Sequence, residues 1–127
     1  LYIARRLVRF ASEDVGMANN SALLLATAAF DACKNIGLPE CGVHLAHAVT
    51  YLAKSPKSIA VYLAFEAAMA EVRASGNLPV PLYLRNAPTK LMKDLGYAKG
   101  YKYTPLVDDT GQEYLPAALK GRKFFKP

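Results

Sequence analysis

Three observations predict an all-α fold for these 127 residues, a compact helical bundle followed by an extended basic segment. Apolar side chains recur at spacings of three and four through the stretch before Gly76, which is the period of a helix with one buried face. Glycine, proline and asparagine punctuate that stretch at the places where helices stop and restart. Pro79, Pro81 and Pro88 then follow in quick succession, and each lacks a backbone donor and fixes its φ, so residues 77–87 are expected to run extended.

The first helix opens the chain. Ile3, Leu7 and Phe10 repeat at i, i+4 and i+7, with Ala4, Val8, Ala11 and Val15 beside them and Arg5, Arg9 and Glu13 on the opposite side. Gly16 is placed to end it, and Asn19 or Asn20 to cap the next. The chain starts without Met and without a capping residue, which predicts that a longer parent protein precedes it. Ser21 to Phe30 carries no charge, and Leu23, Leu24, Leu25, Ala26, Ala28 and Ala29 make this second helix the expected centre of the bundle.

Gly37 supplies a left-handed stop, and Pro39 suits the first position of a third helix running to about Ala53, with Leu45, Val49 and Leu52 as its core stripe. Ser55 and Pro56 repeat that cap-and-proline pattern for a fourth helix, whose apolar face would be Val61, Phe65, Met69 and Val72, closed by Gly76. The connections are short, so neighbouring helices should pack side by side, with abundant alanine allowing close approach.

Beyond the extended strip, Pro88 to Leu95 is expected to form a short fifth helix capped by Asn86 and stopped by Gly96. Asp108, Asp109 and Gly111 read as a turn at the tip of a hairpin, and Leu115 to Gly121 as a final helical turn opened by Pro116. The expected organisation is one domain over 1–127, with a four-helix core over 1–76 and the extended segment, short helices and hairpin over 77–127.

With 53% hydrophobic residues the chain is long enough to bury a core without staples. Cys33 and Cys41 stand in apolar helical surroundings, which fits reduced buried thiols and a cytoplasmic protein better than a disulfide framework. No apolar run reaches the length of a bilayer span, so a membrane partner is not expected. The net charge of +6 is divided unevenly. Up to Leu78 it is +1, and from Pro79 onward it is +5, an asymmetry that suits an anionic partner such as nucleic acid and suits solubility equally well.

The chain carries no GxxxxGK[ST] loop, no GxGxxG before a helix and no HExxH. Cys41, His44 and His47 follow one another at i+3 on the third helix, where they would precess around one side, and no fourth ligand is evident; the simpler reading makes His44, His47, Tyr51 and Lys54 a solvated face. Neither thiol has the basic surroundings that activate one, and no carboxylates pair.

The candidate contact residues are Arg85, Asn86, Lys90, Lys93, Tyr97, Lys99, Tyr101, Lys102 and Tyr103. They interleave cations that can meet phosphates with rings on which bases can stack. The alternative is that the tyrosines cover the bundle while their hydroxyls and the lysine heads reach water, and that Arg85 and Asn86 pin a loop by bonding its free carbonyls.

Four segments carry a resemblance: IARRLVRFASEDVG (Ile3 to Gly16), YLAKSPKS (Tyr51 to Ser58), VPLYLRNAPTKLMKDLGY (Val80 to Tyr97) and YLPAALKGRKFF (Tyr114 to Phe125). Together and in this order they resemble the C-terminal domain of the RarA/MgsA family of AAA+ ATPases, bacterial relatives of the Werner helicase interacting protein. Ile59 and the stretch Thr104 to Val107 depart from the family's pattern.

The resemblance implies a helical module similar to the collar of clamp-loader subunits, which brings subunits together as a tetramer. It also implies that ATP and Mg are bound by an ATPase module standing before Leu1 in the parent, leaving no catalytic, cofactor or metal residue in this fragment. The implied parent acts in replication-associated recombination and fork maintenance, with DNA and single-strand-binding protein as partners, in the nucleoid-associated cytoplasm of a bacterium. Two roles are therefore expected for the chain: self-association through apolar helix surface left over from bundle packing, or DNA or partner docking through segment 85–103.

Overall fold

A computed structural model describes all 127 residues, and the fold is all-helical, with no β-strand anywhere. Five α-helices form in order: α1 Tyr2–Phe10, α2 Ser21–Asn35, α3 Gly42–Lys54, α4 Ala60–Ser75 and α5 Lys90–Asp94. The chain divides into two compact units, one of Leu1–Ala70 with Phe124–Pro127 and one of Glu71–Lys123.

In the first unit α1, α2 and α3 pack on one another. The predicted faces are correct in period and shifted in identity. α2 buries Ala22, Ala26, Ala29 and Cys33, a stripe at i, i+4, i+7 and i+11, while Leu23 and Leu24 point outward. α1 contributes Ala4 and the turn after it Ala11 and Val15, whereas Ile3 is exposed. α3 buries Ala48 and Leu52 and leaves Val49 half in water. Small residues thus line the contact and let the backbones approach; Leu52 and Val15 are the largest side chains wholly enclosed. Leu7, Val8, Phe10 and Tyr51 close over this core from its rim.

α1 does not run unbroken to Gly16. It widens into a π-helical turn, Ala11–Val15, and then tightens into a 3-10 turn, Gly16–Ala18. The wide turn re-aims the chain so that both of its ends, Ala11 and Val15, face the core. Here the backbone clasps the approach to α4: Ser58 donates its N–H to the Asp14 carbonyl at 2.8 Å. Gly16 has φ +52°, and a Cβ built on it would stand 2.6 Å from the Ser58 carbonyl oxygen, so only glycine fits.

Asn19 ties three elements together. Its carboxamide oxygen accepts from Ser21 N–H at 3.1 Å, capping α2, and its nitrogen donates to the Tyr51 hydroxyl and Ser55 Oγ, each at 3.0 Å. Lys57 acts beside it at the same C-terminal end of α3. Its ammonium donates to the carbonyls of Leu52, at 2.8 Å, and Ser55, satisfying groups that the helix terminus leaves free, and lies 5.7 Å over the Phe10 ring.

Several predicted boundaries move. Pro39 lies in a turn, where Cys41 donates to Gly37 and Gly42 to Pro39, and α3 starts only at Gly42. Residues 56–59 are likewise outside α4: the Ser58 N–H is committed to Asp14, and Ser58 Oγ rather than Ser55 reaches the new helix, at Ala60 N–H. α5 is capped by Thr89, not Asn86, through Met92 N–H to Thr89 Oγ1 at 3.3 Å. In the strip 77–87 a 3-10 turn, Leu82–Leu84, interrupts the extended chain after Pro81. The turn at Asp108 to Gly111 forms without a hairpin, because side chains take the bonds that a strand ladder would need: Gln112 presents its carboxamide to Lys102, accepting from its N–H at 2.7 Å and donating to its carbonyl at 3.2 Å.

The clasp yields a direct prediction. Gly16→Ala should cost about 1–3 kcal/mol, read as a lowered urea midpoint with an unchanged slope, and an unaltered midpoint would contradict the close approach. By contrast, Leu52→Ala should cost about 2–5 kcal/mol, while Val49→Ala on the same helix should change little.

Candidate functional site

No residue after Ser55 is buried. This separates a chain half that encloses a core from one that encloses none. α4 has sixteen residues and not one buried side chain. Its predicted core face lies open: Val61 is 38% exposed, Phe65 58%, Met69 36% and Val72 56%. Ile59 just before the helix and Leu63 within it add 50% and 55%. A helix this apolar is ordinarily enclosed by protein, so α4 is a candidate contact surface.

The second unit is held by polar contacts rather than by a core. Arg85 donates from Nε to the Val80 carbonyl at 2.7 Å and from Nη1 to the Tyr97 hydroxyl at 3.3 Å, with its guanidinium 5.4 Å above the Tyr97 ring. It staples the proline strip to the chain leaving α5. Tyr83 donates its hydroxyl to the Glu113 carbonyl, and Arg122 pairs with Glu71. In the acidic turn, Asp109 accepts from Tyr114 and Thr104, and Asp108 from Thr110. These hydroxyl donors hold both carboxyls below the usual range, Asp109 chiefly through Tyr114 and Asp108 chiefly through Thr110.

The sequence-derived contact residues therefore fall into two groups. Arg85 and Tyr97 are half-buried and engaged with each other. Asn86, Lys90, Lys93, Lys99, Tyr101, Lys102 and Tyr103 are exposed, and none of the lysines meets a carboxylate, since the ion pairs are Arg9 with Glu13 and Arg122 with Glu71. Lys99 and Lys102 come together on an open cleft of about 340 Å³ that Tyr83 and Gln112 also line. Lys90 and Lys93 stand on α5 and do not line it.

Cys41 is buried while His44 and His47 are exposed, and the three form no metal-binding group. Sequence reasoning missed the bridging role of Asn19, whose partners lie 32 and 36 positions away. It also missed Lys57, although a lysine just past a helix end is itself a C-cap signal. No helix is long and apolar enough to cross a membrane.

These features define a helical module whose second half offers apolar and basic surface. The family described as "MgsA AAA+ ATPase C terminal" matches residues 1–127, and the chain belongs to it. It is 50% identical over 129 residues to the "Replication-associated recombination protein A" of Coxiella burnetii, covering 99% of this chain and 29% of that protein. Similarity is also high to the "ATPase WRNIP1" of Dictyostelium discoideum, 45% identical over 99% of this chain and 15% of that protein. The Escherichia coli K12 "Replication-associated recombination protein A" is 43% identical over 100% of this chain and 29% of its own length. The chain thus spans less than a third of each relative.

Acid should loosen the turn at Asp108 and Asp109. Carboxyls held low in the folded state contribute stability that is present above their unfolded value of 3.8 and lost as pH falls through the folded value. Amide exchange in residues 102–114 should therefore accelerate below about pH 4, and Asp109→Asn should remove most of that pH response.

Proposed function

We propose that this chain is the non-catalytic self-association domain of a AAA+ ATPase acting in replication-associated recombination and fork maintenance. Nucleotide hydrolysis, with its ATP and Mg, belongs in this reading to the ATPase part of the parent, in the cytoplasm of a bacterium. The observation that carries it is α4, an apolar helix without a buried residue.

Area supports the same reading. The chain exposes 9309 Å², whereas two separately folded pieces of the lengths of its units would expose about 8,000 Å². The surplus of about 1,300 Å² exceeds the roughly 800 Å² per partner of a standard interface. Leu63, Phe65 and Val72 are already nearly half covered, so enclosing the rest of each stabilises an assembly by about 1–1.5 kcal/mol before association entropy is subtracted. A second copy is the natural occupant, because an apolar helix face can pack on its own symmetry mate. Four copies is the number that the family resemblance favours.

Light scattering after size exclusion tests this. At tens of micromolar the chain should elute as an oligomer, and Leu63→Glu with Phe65→Glu should shift it to monomer while the α1–α3 core retains its helicity. A monomeric wild type would sink the proposal.

The second reading, a DNA or partner-docking module, is favoured by one observation: Lys90, Lys93, Lys99 and Lys102 have no carboxylate partners, and Tyr101 and Tyr103 are free beside them. Single-stranded DNA should then bind with an affinity that falls steeply with salt, and Lys99→Ala with Lys102→Ala should reduce the slope by about 1–2. Absence of binding at low salt would end this reading; single-strand-binding protein as a partner falls within it.

A further inference from the structure

One face of α3 opens on a cleft that neither functional reading uses. His47, Thr50, Tyr51 and Lys54, at i, i+3, i+4 and i+7, line a space of about 370 Å³ together with Asn19, Ser55 and Pro56. Its polar base is fixed: Ser55 is only 7% exposed, and the Asn19 carboxamide bonds Tyr51, Ser55 and Ser21 at once. No carboxylate lines the cleft.

The two ends of this face offer different chemistry. At the C-terminal end Lys54 is exposed, and its ammonium meets no carboxylate. The Tyr51 hydroxyl donates to Asn19 Oδ1 at 3.2 Å and is able to turn that proton to a ligand oxygen, because Oδ1 keeps the Ser21 N–H. A helix C-terminus ordinarily repels an anion. Here the last carbonyls are already taken, that of Tyr51 by the Ser55 N–H and Oγ, and that of Leu52 by the Lys57 ammonium. This end therefore suits an oxyanion. At the other end the His47 imidazole presents an exposed flat ring, and Thr50 Oγ1, which donates to the Ala46 carbonyl at 2.8 Å, keeps lone pairs for an incoming N–H. His47 and Lys54 lie about 10 Å apart along the axis, and helical side chains tilt back toward the N-terminus, which brings the ammonium within one nucleotide's length of the ring.

We propose that this cleft is a binding site for a nucleoside 5′-monophosphate group, its phosphate held by the Lys54 ammonium and the Tyr51 hydroxyl, its base stacked on His47 with an amino group on Thr50. The group arrives as a free nucleotide or as the phosphorylated 5′ end of a strand. The cleft lies outside α4 and segment 85–103, so its test is independent of both functional readings.

Proton–nitrogen NMR spectra of the whole chain, titrated with adenosine 5′-monophosphate, read the outcome. Shifts should cluster at Asn19 and residues 47–56 and saturate with a Kd of about 1 mM or tighter, and adenosine should bind about ten-fold more weakly. Lys54→Ala should weaken the monophosphate about ten-fold and leave adenosine unchanged, so that the two ligands bind alike. A 5′-phosphorylated oligodeoxyadenylate that displaces the monophosphate when its 5′-hydroxyl twin does not identifies the strand end as the source; failure of both to displace it identifies the free nucleotide. No shift in the cleft at about 10 mM, or shifts confined to residues 85–103, would overturn the site. A preference for the monophosphate that survives Lys54→Ala would overturn the placement of the phosphate.

Discussion

Everything in the first unit depends on the close contact of three helices across alanine. Ala4, Ala11, Ala22, Ala26 and Ala48 are each at most 1% exposed, and they bring the backbones of α1, α2 and α3 near enough that little space remains for larger side chains. A core of this kind is dense but contains few methylenes, so each contact contributes modestly and fit matters more than bulk. The polar bonds of Asn19 and Lys57 complement it by satisfying helix ends beside the core.

The same contact explains the surface. When alanine takes the interior stripe, leucines and valines one or two positions away turn outward, which is why Leu23, Leu24 and Val49 meet water. α4 carries this to its limit, because the clasp between Asp14 and Ser58 fixes where it starts while no residue along it is enclosed. A chain that hides small residues and shows large ones is arranged for cover from outside itself, and self-association is the proposal that follows from that arrangement.

Much of the fold was legible in the sequence: five helices, their order, the stops at Gly37, Gly76 and Gly96, and the proline strip after α4, whereas α1 ends at Phe10 rather than at Gly16. Boundaries were less so. Ser55 and Pro56 look like a helix start, yet Ser55 is buried as a partner of Asn19 and Lys57. Asn86 looks like a cap, yet Thr89 is in position. At Ser55 a local signal lost to a contact made far along the chain, and at Asn86 it lost to a better-placed cap three residues on. Of the candidate contact residues, the basic and tyrosine pattern was visible, but that Arg85 and Tyr97 occupy each other was not, since twelve positions separate them.

Helical period, charge asymmetry and the positions of proline and glycine were determined by the sequence alone, because each acts within a few residues of backbone. Which member of an apolar stripe turns inward was decided only by the tertiary structure. Alanine and leucine satisfy the same periodicity, and only the distance between packed backbones selects the smaller for the interior and leaves the larger for a neighbour.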